Sequence, residues 1–288
     1  MAPRTALAPA KVNLFLHVGP VDDGGFHPLA SLAAFADVGD SVRVERSDRL
    51  SLTVEGPFAA ALEDGADNLI LRALRALGEV AGVGDPPVSV HLDKRLPIAA
   101  GLGGGSSDAG AALKLVRDLL GLDLDDAALA AMAGRLGSDG PLCLFARAAW
   151  AEGRGDVLTP EPRLPPLPAL LVNPRVPSLT GDVYRAYDAG PAATADRPAE
   201  PRDWSPSTVI DWLTAQRNDL ELPAVARAPA VGEVLAMLSG LPGARLTRMS
   251  GSGATVFALF DTADDTNRAA RLVQGARPEW WVRSTTLS

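Results

Sequence analysis

Residues 97–109 read Pro97-Ile98-Ala99-Ala100-Gly101-Leu102-Gly103-Gly104-Gly105-Ser106-Ser107-Asp108-Ala109, and their chemistry decides how the rest of the chain is understood. Glycines let backbone N–H groups approach an anion closely and accept positive φ. An apolar-periodic stretch follows from Asp108 to Leu120 and stops at Gly121, which predicts a helix. Such a helix points its unpaired N–H groups, and the positive end of its dipole, back at the loop. Ser106 and Ser107 add hydroxyl donors. These parts together make a phosphate cradle.

Other glycine loops fit less well. A dinucleotide fingerprint sits directly after a buried strand at the start of a βαβ unit, whereas here Lys94-Arg95-Leu96-Pro97 intervenes. A P-loop requires Gly-Lys-Ser/Thr, and no Gly-Lys pair occurs anywhere in the chain. A plain surface loop capped by Ser107 or Asp108 is the remaining alternative, and two serines poised at a helix start argue against it.

Working outward, Leu7–Val18, Ser41–Arg46, Leu50–Glu55 and Val88–Leu92 alternate as strands. Asp22-Asp23-Gly24-Gly25 is a turn. Leu69, Ile70, Ala73, Leu74 and Leu77 share one face of a helix opened by Asp67-Asn68, with Asp67 as the expected N-cap. A further helix runs from Asp125 to Leu136 and stops at Gly137. Thr159–Pro168 is proline-rich and is expected to be a linker, dividing the chain into domains at 1–159 and 160–288. Gly190–Pro206 is expected to be a surface loop. Strands are expected near Ala169–Val172, Arg245–Met249, Thr255–Phe260 and Trp280–Thr285, with helices between. Helices and strands in both halves give an α+β, two-domain chain.

Composition bounds the function. The 288 residues are 47% hydrophobic and 22% charged, an ordinary globular balance. A net charge of −8 argues against nucleic acid as a partner, because a phosphate backbone demands a basic footprint. A single cysteine, Cys143, rules out a disulfide within the chain and leaves no Cys-based metal cluster. No apolar run near the start suggests a signal peptide or membrane span, so a cytoplasmic protein acting on a small molecule is expected. Oligomeric state is not legible.

Lys11 is one of only three lysines, set in the apolar run Ala8-Pro9-Ala10-Lys11-Val12-Asn13-Leu14-Phe15-Leu16. A charge there needs a partner or a task, although a lysine on an edge strand can also reach solvent. Leu136-Gly137-Ser138-Asp139-Gly140-Pro141 follows a helix end, and taken alone Asp139 is a routine turn residue.

Pro-x-x-x-Gly-Leu-x-x-x-Ser-Ser-x-Ala resembles the phosphate loop of the galactokinase, homoserine kinase, mevalonate kinase and phosphomevalonate kinase superfamily. Pro-Ala-Lys-x-Asn-Leu-x-Leu at Pro9 and the Leu-Gly-Ser-Asp segment at Asp139 resemble motifs of its diphosphocytidyl-methylerythritol kinase family. So do Gly25-Phe26-His27-x-Leu29, Ser178-Leu179-Thr180 through Tyr184, and Asn218-Asp219-Leu220-Glu221. Arg248-Met249-Ser250-Gly251-Ser252-Gly253-Ala254-Thr255 resembles the third superfamily signature.

The resemblance implies a ribosomal-protein-S5-like first domain and a ferredoxin-like second domain. It implies transfer of the ATP γ-phosphoryl group to the 2-hydroxyl of 4-diphosphocytidyl-2-C-methylerythritol, with Mg²⁺ accompanying ATP and its ligands not identified. Asp139 is then the general base and Lys11 its neighbour. Asn68, Lys94, Pro97, Gly101, Gly103, Gly104, Gly105, Ser106 and Ser107 would bind ATP. Asn13, Phe26, His27, Tyr184, Gly251, Ser252 and Gly253 would bind the second substrate, with Phe26 and Tyr184 flanking the cytosine and His27 hydrogen-bonding it. Asn218–Glu221 would be structural. His17 and His91 match no motif. The family usually carries an apolar residue where Gly140 stands. Another kinase of the superfamily, acting on mevalonate, homoserine or a sugar, and a non-catalytic nucleotide-binding module are the alternative readings.

Overall fold

The first strand, β1 (Arg4–Val18), is buried on both faces from Ala10 onward, which is why its apolar residues run on instead of alternating. It pairs with β2 (Leu29–Arg46), an 18-residue strand. The computed structural model describes residues 2–62, 68–191 and 193–288. The chain divides into two compact units, and neither is a single stretch of sequence. One comprises the residues through Ala10, Val38–Ile98 and Gly103–Ala146; the other comprises Lys11–Asp37, Ala99–Leu102 and Arg147–Ser288. β1 and β2 therefore each supply residues to both.

In the first unit, the second half of β2 pairs antiparallel with β4 (Val88–Asp93), Ser41 opposite Asp93 and Arg46 opposite Val88. β3 (Ser51–Glu55) pairs parallel with β4. Val88, Val90 and Leu92 point to the buried face, and Ser89, His91 and Asp93 lie on the other, the period-two pattern of a half-covered sheet. Helices α1 (Leu69–Ala81), α2 (Gly104–Leu120), α3 (Asp126–Leu136) and α4 (Gly140–Phe145) pack on it. Ile70, Leu74 and Leu77 of α1 meet Leu113, Val116 and Leu119 of α2 and Val42, Val44 and Val90 of the sheet in one core.

In the second unit, β7 (Leu167–Asn173) is central, with β10 (Trp281–Leu287) on one side and β9 (Val256–Leu259), then β8 (Leu246–Met249), on the other. Helices α5 (Thr180–Asp188), α6 (Pro206–Thr214), α7 (Glu221–Arg227), α8 (Pro229–Ser239) and α9 (Ala263–Ala276) complete it. The first half of β2 pairs here with β5 (Ala149–Gly153), which pairs in turn with β6 (Val157–Pro160). Among the described residues no helix is long and apolar enough to cross a membrane, and Cys143 is buried and in no disulfide.

Several local expectations are revised. α2 begins at Gly104, four residues before the expected Asp108, so most of the glycine-serine run is helical. The alanine-rich first half of β2, with β5, β6 and α4, carried no strand or helix signal that could be read locally. Asp67 lies outside the described residues; Asn68 caps α1, its Oδ1 accepting the Ile70 N–H at 2.9 Å. The proline-rich run is not a free linker. Thr159 and Pro160 pair with Trp150 and Ala149, Leu167 and Pro168 belong to β7, and Glu161 between them is buried on the Trp150 indole N–H. Pro160 is tolerated because β6 is a short outer strand. Residues 193–205 have no regular structure but are strapped down: Trp212 donates to Ala199 O, Arg217 to Thr194 O, and Arg197 lies over Trp150.

Candidate active site

In the second unit, Lys11 and Asn13 sit two residues apart on β1 and so face the same way. Lys11 is buried, and its Nζ donates to Asn13 Oδ1 at 2.8 Å. Asn13 Nδ2 donates to Ser31 Oγ, which donates to Phe15 O. The edge-strand alternative for Lys11 is thus not what the fold provides. Its backbone N–H donates to Leu102 O, so the glycine run begins its path against β1.

The same run docks on the turn after β8. Ser250 Oγ donates to Gly101 O at 2.8 Å and accepts the Asn13 N–H at 3.1 Å. Thr255 N donates to Ala100 O. A Cβ on Gly101 would lie 2.2 Å from Ser250 O, and its φ is +73°, so glycine is required twice over. Three sequence motifs therefore meet here: Lys11–Asn13, Gly101 and Ser250–Gly253. The turn is itself anchored. Asn218 Nδ2 donates to Met249 O and Gly251 O, Glu221 accepts the Met249 N–H, and Ser252 is held by Ser178 and Thr180. Arg248 donates to Leu14 O, Leu213 O and Gln216 O; burial pulls its pKa down to about 10, against the opposing charge of Glu221.

In the first unit, Gly103 adopts φ +61° and starts α2 with no side-chain cap. The first-turn N–H groups of Gly104, Gly105 and Ser106 precede any intrahelical acceptor, the arrangement that suits an anion at a helix start. Ser107 is buried, and its Oγ has no protein partner. Pro97 is buried just upstream. Beneath Gly104 lies Lys94, 3.1 Å from the place a Cβ would occupy. Its ammonium is not in solvent: it donates to Asp40 Oδ2 at 2.5 Å and Asp108 Oδ2 at 2.7 Å. Asp40 Oδ1 takes the N–H groups of Arg95 and Leu96. Asp108 Oδ1 has no partner, and burial pushes the Asp108 carboxyl up to about 7, with Lys94 pulling the other way and Asp40 adding to the rise.

Asp139 is half-buried at the start of α4, its carbonyl accepting the Cys143 N–H. A Cβ on Gly140 would lie 2.1 Å from Ala133 O, so the close approach of α3 accounts for a glycine where an apolar residue is usual in the family. Cys143 Sγ faces Gly103 O at 3.7 Å.

On the second unit, Asp22 Oδ1 accepts the N–H groups of Gly24 and Phe26, and this turn presents the Phe26 ring 48% exposed. The Arg154 guanidinium stacks 3.7 Å from its centroid. His27 lies 5.0 Å from the Tyr184 ring, tilted 35°. His17 is buried against Asp196 O, and burial lowers its pKa. Among the described residues no group of three His, Cys, Asp or Glu side chains could hold a metal ion.

Residues 68–147 match the GHMP kinases N terminal domain and residues 207–277 the GHMP kinases C terminal domain. The chain is 53% identical over 287 residues to a 4-diphosphocytidyl-2-C-methyl-D-erythritol kinase of Caulobacter vibrioides, covering 99% of both. It belongs to the 4-diphosphocytidyl-2-C-methyl-D-erythritol kinase family. A member from Xanthobacter autotrophicus is 49% identical, with 98% of each chain covered. The crystal structure of 4-(cytidine 5'-diphospho)-2C-methyl-D-erythritol kinase matches with a TM-score of 0.79 and 36% identity over 99% of each chain. Homoserine kinase from Cytophaga hutchinsonii shares the fold, with a TM-score of 0.69 at 19% identity. The α+β, two-domain GHMP kinase fold expected from the motifs is the fold of this kinase.

Motif reading did not single out Ser31, Asp40, Asp108, Arg154 or Ser250, which the structure places beside the expected site residues. Asp108 and Ser250 lay inside recognised motifs. Asp40 had no local signal, because its partner Lys94 is 54 residues away.

Proposed function

We propose that this kinase transfers the γ-phosphoryl group of ATP to the 2-hydroxyl of 4-diphosphocytidyl-2-C-methyl-D-erythritol, a step of the non-mevalonate route to isoprenoid precursors. The observation that carries the reading is the uncapped, glycine-lined start of α2, whose approach from Gly101 is pinned by Ser250. Its first-turn N–H groups and helix dipole would take ATP phosphates at Gly103, Gly104, Gly105, Ser106 and Ser107, with Gly101 setting the path and Pro97 stiffening it. Ser107 Oγ, buried without a protein partner, fits a phosphate or a metal-bound ligand. Asn68 orders the adjoining helix start. Lys94, held by two carboxylates, supports the loop from beneath.

Mg²⁺ bound with ATP would neutralise the phosphate charge. Ser106 and Ser107 at the start of α2 would supply hydroxyls to such an ion, with the nucleotide phosphates supplying its other oxygens. Asp139 would accept the proton of the attacking hydroxyl, as a carboxylate in reach of a poor nucleophile can. Lys11, fixed by Asn13, would offset charge developing on the transferred group. Phe26, His27 and Tyr184 would receive the cytosine, and Gly251, Ser252 and Gly253 would line the remainder of the substrate. The substrate of this reading is the one after which the relatives are named, and we place the enzyme in the cytoplasm, acting on a small molecule.

Release of ADP from Mg²⁺-ATP, with 4-diphosphocytidyl-2-C-methyl-D-erythritol beside mevalonate, homoserine and galactose, tests this reading. Turnover with the cytidyl substrate alone is expected. Turnover with a control compound instead would keep the phosphate loop and discard the base site.

A further inference from the structure

His17 shares a face of β1 with Lys11, Asn13 and Phe15. It matches no motif, yet it is only 4% exposed, and its Nδ1 lies 3.1 Å from Asp196 O. A carbonyl oxygen only accepts, so Nδ1 carries the hydrogen of this bond. In the neutral ring Nε2 is then a lone pair, and it is buried with no hydrogen-bond partner. The ring lies 4.7 Å from that of Phe15, which in turn meets Trp150 and Trp212. Protonation here would bury a charge and an unpaired N–H group.

Asp196 belongs to the irregular strap 193–205 that follows α5. The start of the strap is fastened to three consecutive residues where β1 ends. At His17 the tie is the bond to Asp196 O. At Val18, Asp219 accepts the backbone N–H and also the Arg217 Nε–H, while Arg217 donates to Thr194 O. The Tyr187 hydroxyl donates to Val18 O and accepts the Ala193 N–H. At Gly19, a Cβ would lie 3.4 Å from that of Ala195. The strap thus backs Gly19, whose carbonyl oxygen accepts from His27 Nδ1 at 2.9 Å.

His17 is the tie whose charge can change near neutral pH. Burial lowers its pKa below the ordinary 6.5; the Asp196 carbonyl and Asp219 oppose the shift, and Arg217 and Arg248 add to it. On the strap itself, Arg197 is turned to the Trp150 ring and the Glu152 carboxylate. Release of the strap would return His17 to water and to its ordinary value. The docked strap is therefore favoured in full above about 6.5 and loses that advantage as pH falls below it.

We propose that His17 is a positioning residue for the second substrate: by tying the strap to β1 it fixes the Gly19 carbonyl that orients His27, and it releases the strap when protonated. The role in substrate binding rests on the cytidyl reading given above. ATP, taken at α2 in that reading, makes no use of this tie.

The test is steady-state kinetics of the full chain with 4-diphosphocytidyl-2-C-methyl-D-erythritol and Mg²⁺-ATP at successive pH values from about 5.5 to about 8, for the wild type and for His17→Asn. Asparagine places an amide N–H where Nδ1 stands and does not titrate. The KM for the cytidyl substrate is expected to rise by about two- to tenfold in the wild type at the acid end and to stay level in His17→Asn, with the KM for ATP alike in both. His27 and the substrates titrate alike in the two proteins, so the difference between the profiles isolates His17. Amide exchange of residues 193–199 in the wild type, corrected for the intrinsic effect of pH, is expected to quicken over the same range. A wild-type profile as level as that of the variant, an acid rise that persists in His17→Asn, or a strap whose exchange does not change overturns the assignment of His17 alone. Absence of turnover with the cytidyl substrate at every pH overturns the cytidyl reading and this role with it.

Discussion

Asp40 Oδ2 accepts a 2.5 Å hydrogen bond from Lys94 Nζ across 54 residues of sequence, and both groups are buried. Asp40 spends its other oxygen on the Arg95 and Leu96 N–H groups. One side chain thereby fixes both the lysine under Gly104 and the backbone that leads into the glycine loop. Asp40→Asn keeps an oxygen for the two N–H groups and removes the charge that balances Lys94. Stability should fall by about 1–3 kcal/mol, the range for an impaired buried polar partner. The KM for ATP should rise more than kcat falls. Urea unfolding and steady-state kinetics measure the two effects, and an unchanged KM for ATP would confine Asp40 to a purely structural role.

Asp108 makes stability depend on pH. Its carboxyl is pushed up from the ordinary 3.8 to about 7, first by burial, with Lys94 opposing and Asp40 reinforcing. In the window between those values the unfolded chain has released this proton while the folded chain still holds it. The contribution of Asp108 to stability is therefore full below the window and is lost as pH rises through about 7. Asp108→Asn should flatten that part of the profile. Denaturant midpoints taken at successive pH values across it decide the matter, and parallel profiles for the two proteins would refute the assignment.

Asp139→Asn should fold and bind ATP normally. As the loss of a general base, it should lower kcat by about 10²–10⁴-fold. Calorimetry with ATP and single-turnover kinetics separate binding from chemistry, and normal turnover would remove Asp139 from the mechanism.

Gly140→Ala tests the close approach of α3 to α4. The new methyl would meet Ala133 O at 2.1 Å, a backbone atom that cannot swing away. Destabilisation of about 1–3 kcal/mol is expected, as for other overpacked sites. A melting temperature equal to that of the wild type would show that α4 shifts without strain.

Much of the chain was legible because the governing interactions are local. The period-two run Val88–Leu92, the apolar stripe Leu69–Leu77 and the stop at Gly121 follow from how a strand or helix presents side chains, and each appears where the pattern places it. The helix after the glycine-serine run was legible from the sequence, but not that Gly104–Ser107 form its first turn. Glycine is a poor helix former on its own, so its propensity does not announce this turn, in which a Cβ would sit 3.1 Å from Lys94 Nζ at Gly104 and 3.2 Å from Leu69 Cδ1 at Gly105.

By itself, the sequence determined the kinase family, since this rests on residue types at fixed spacing and needs no partner from elsewhere. Only the tertiary structure decided what each charged group faces. That Lys94 is held between Asp40 and Asp108, that Ser250 binds Gly101, and that Asp188 stands at His27 depend on segments far apart in the chain. No local pattern encodes such pairings, because each is selected by the burial and hydrogen-bond satisfaction of the folded whole.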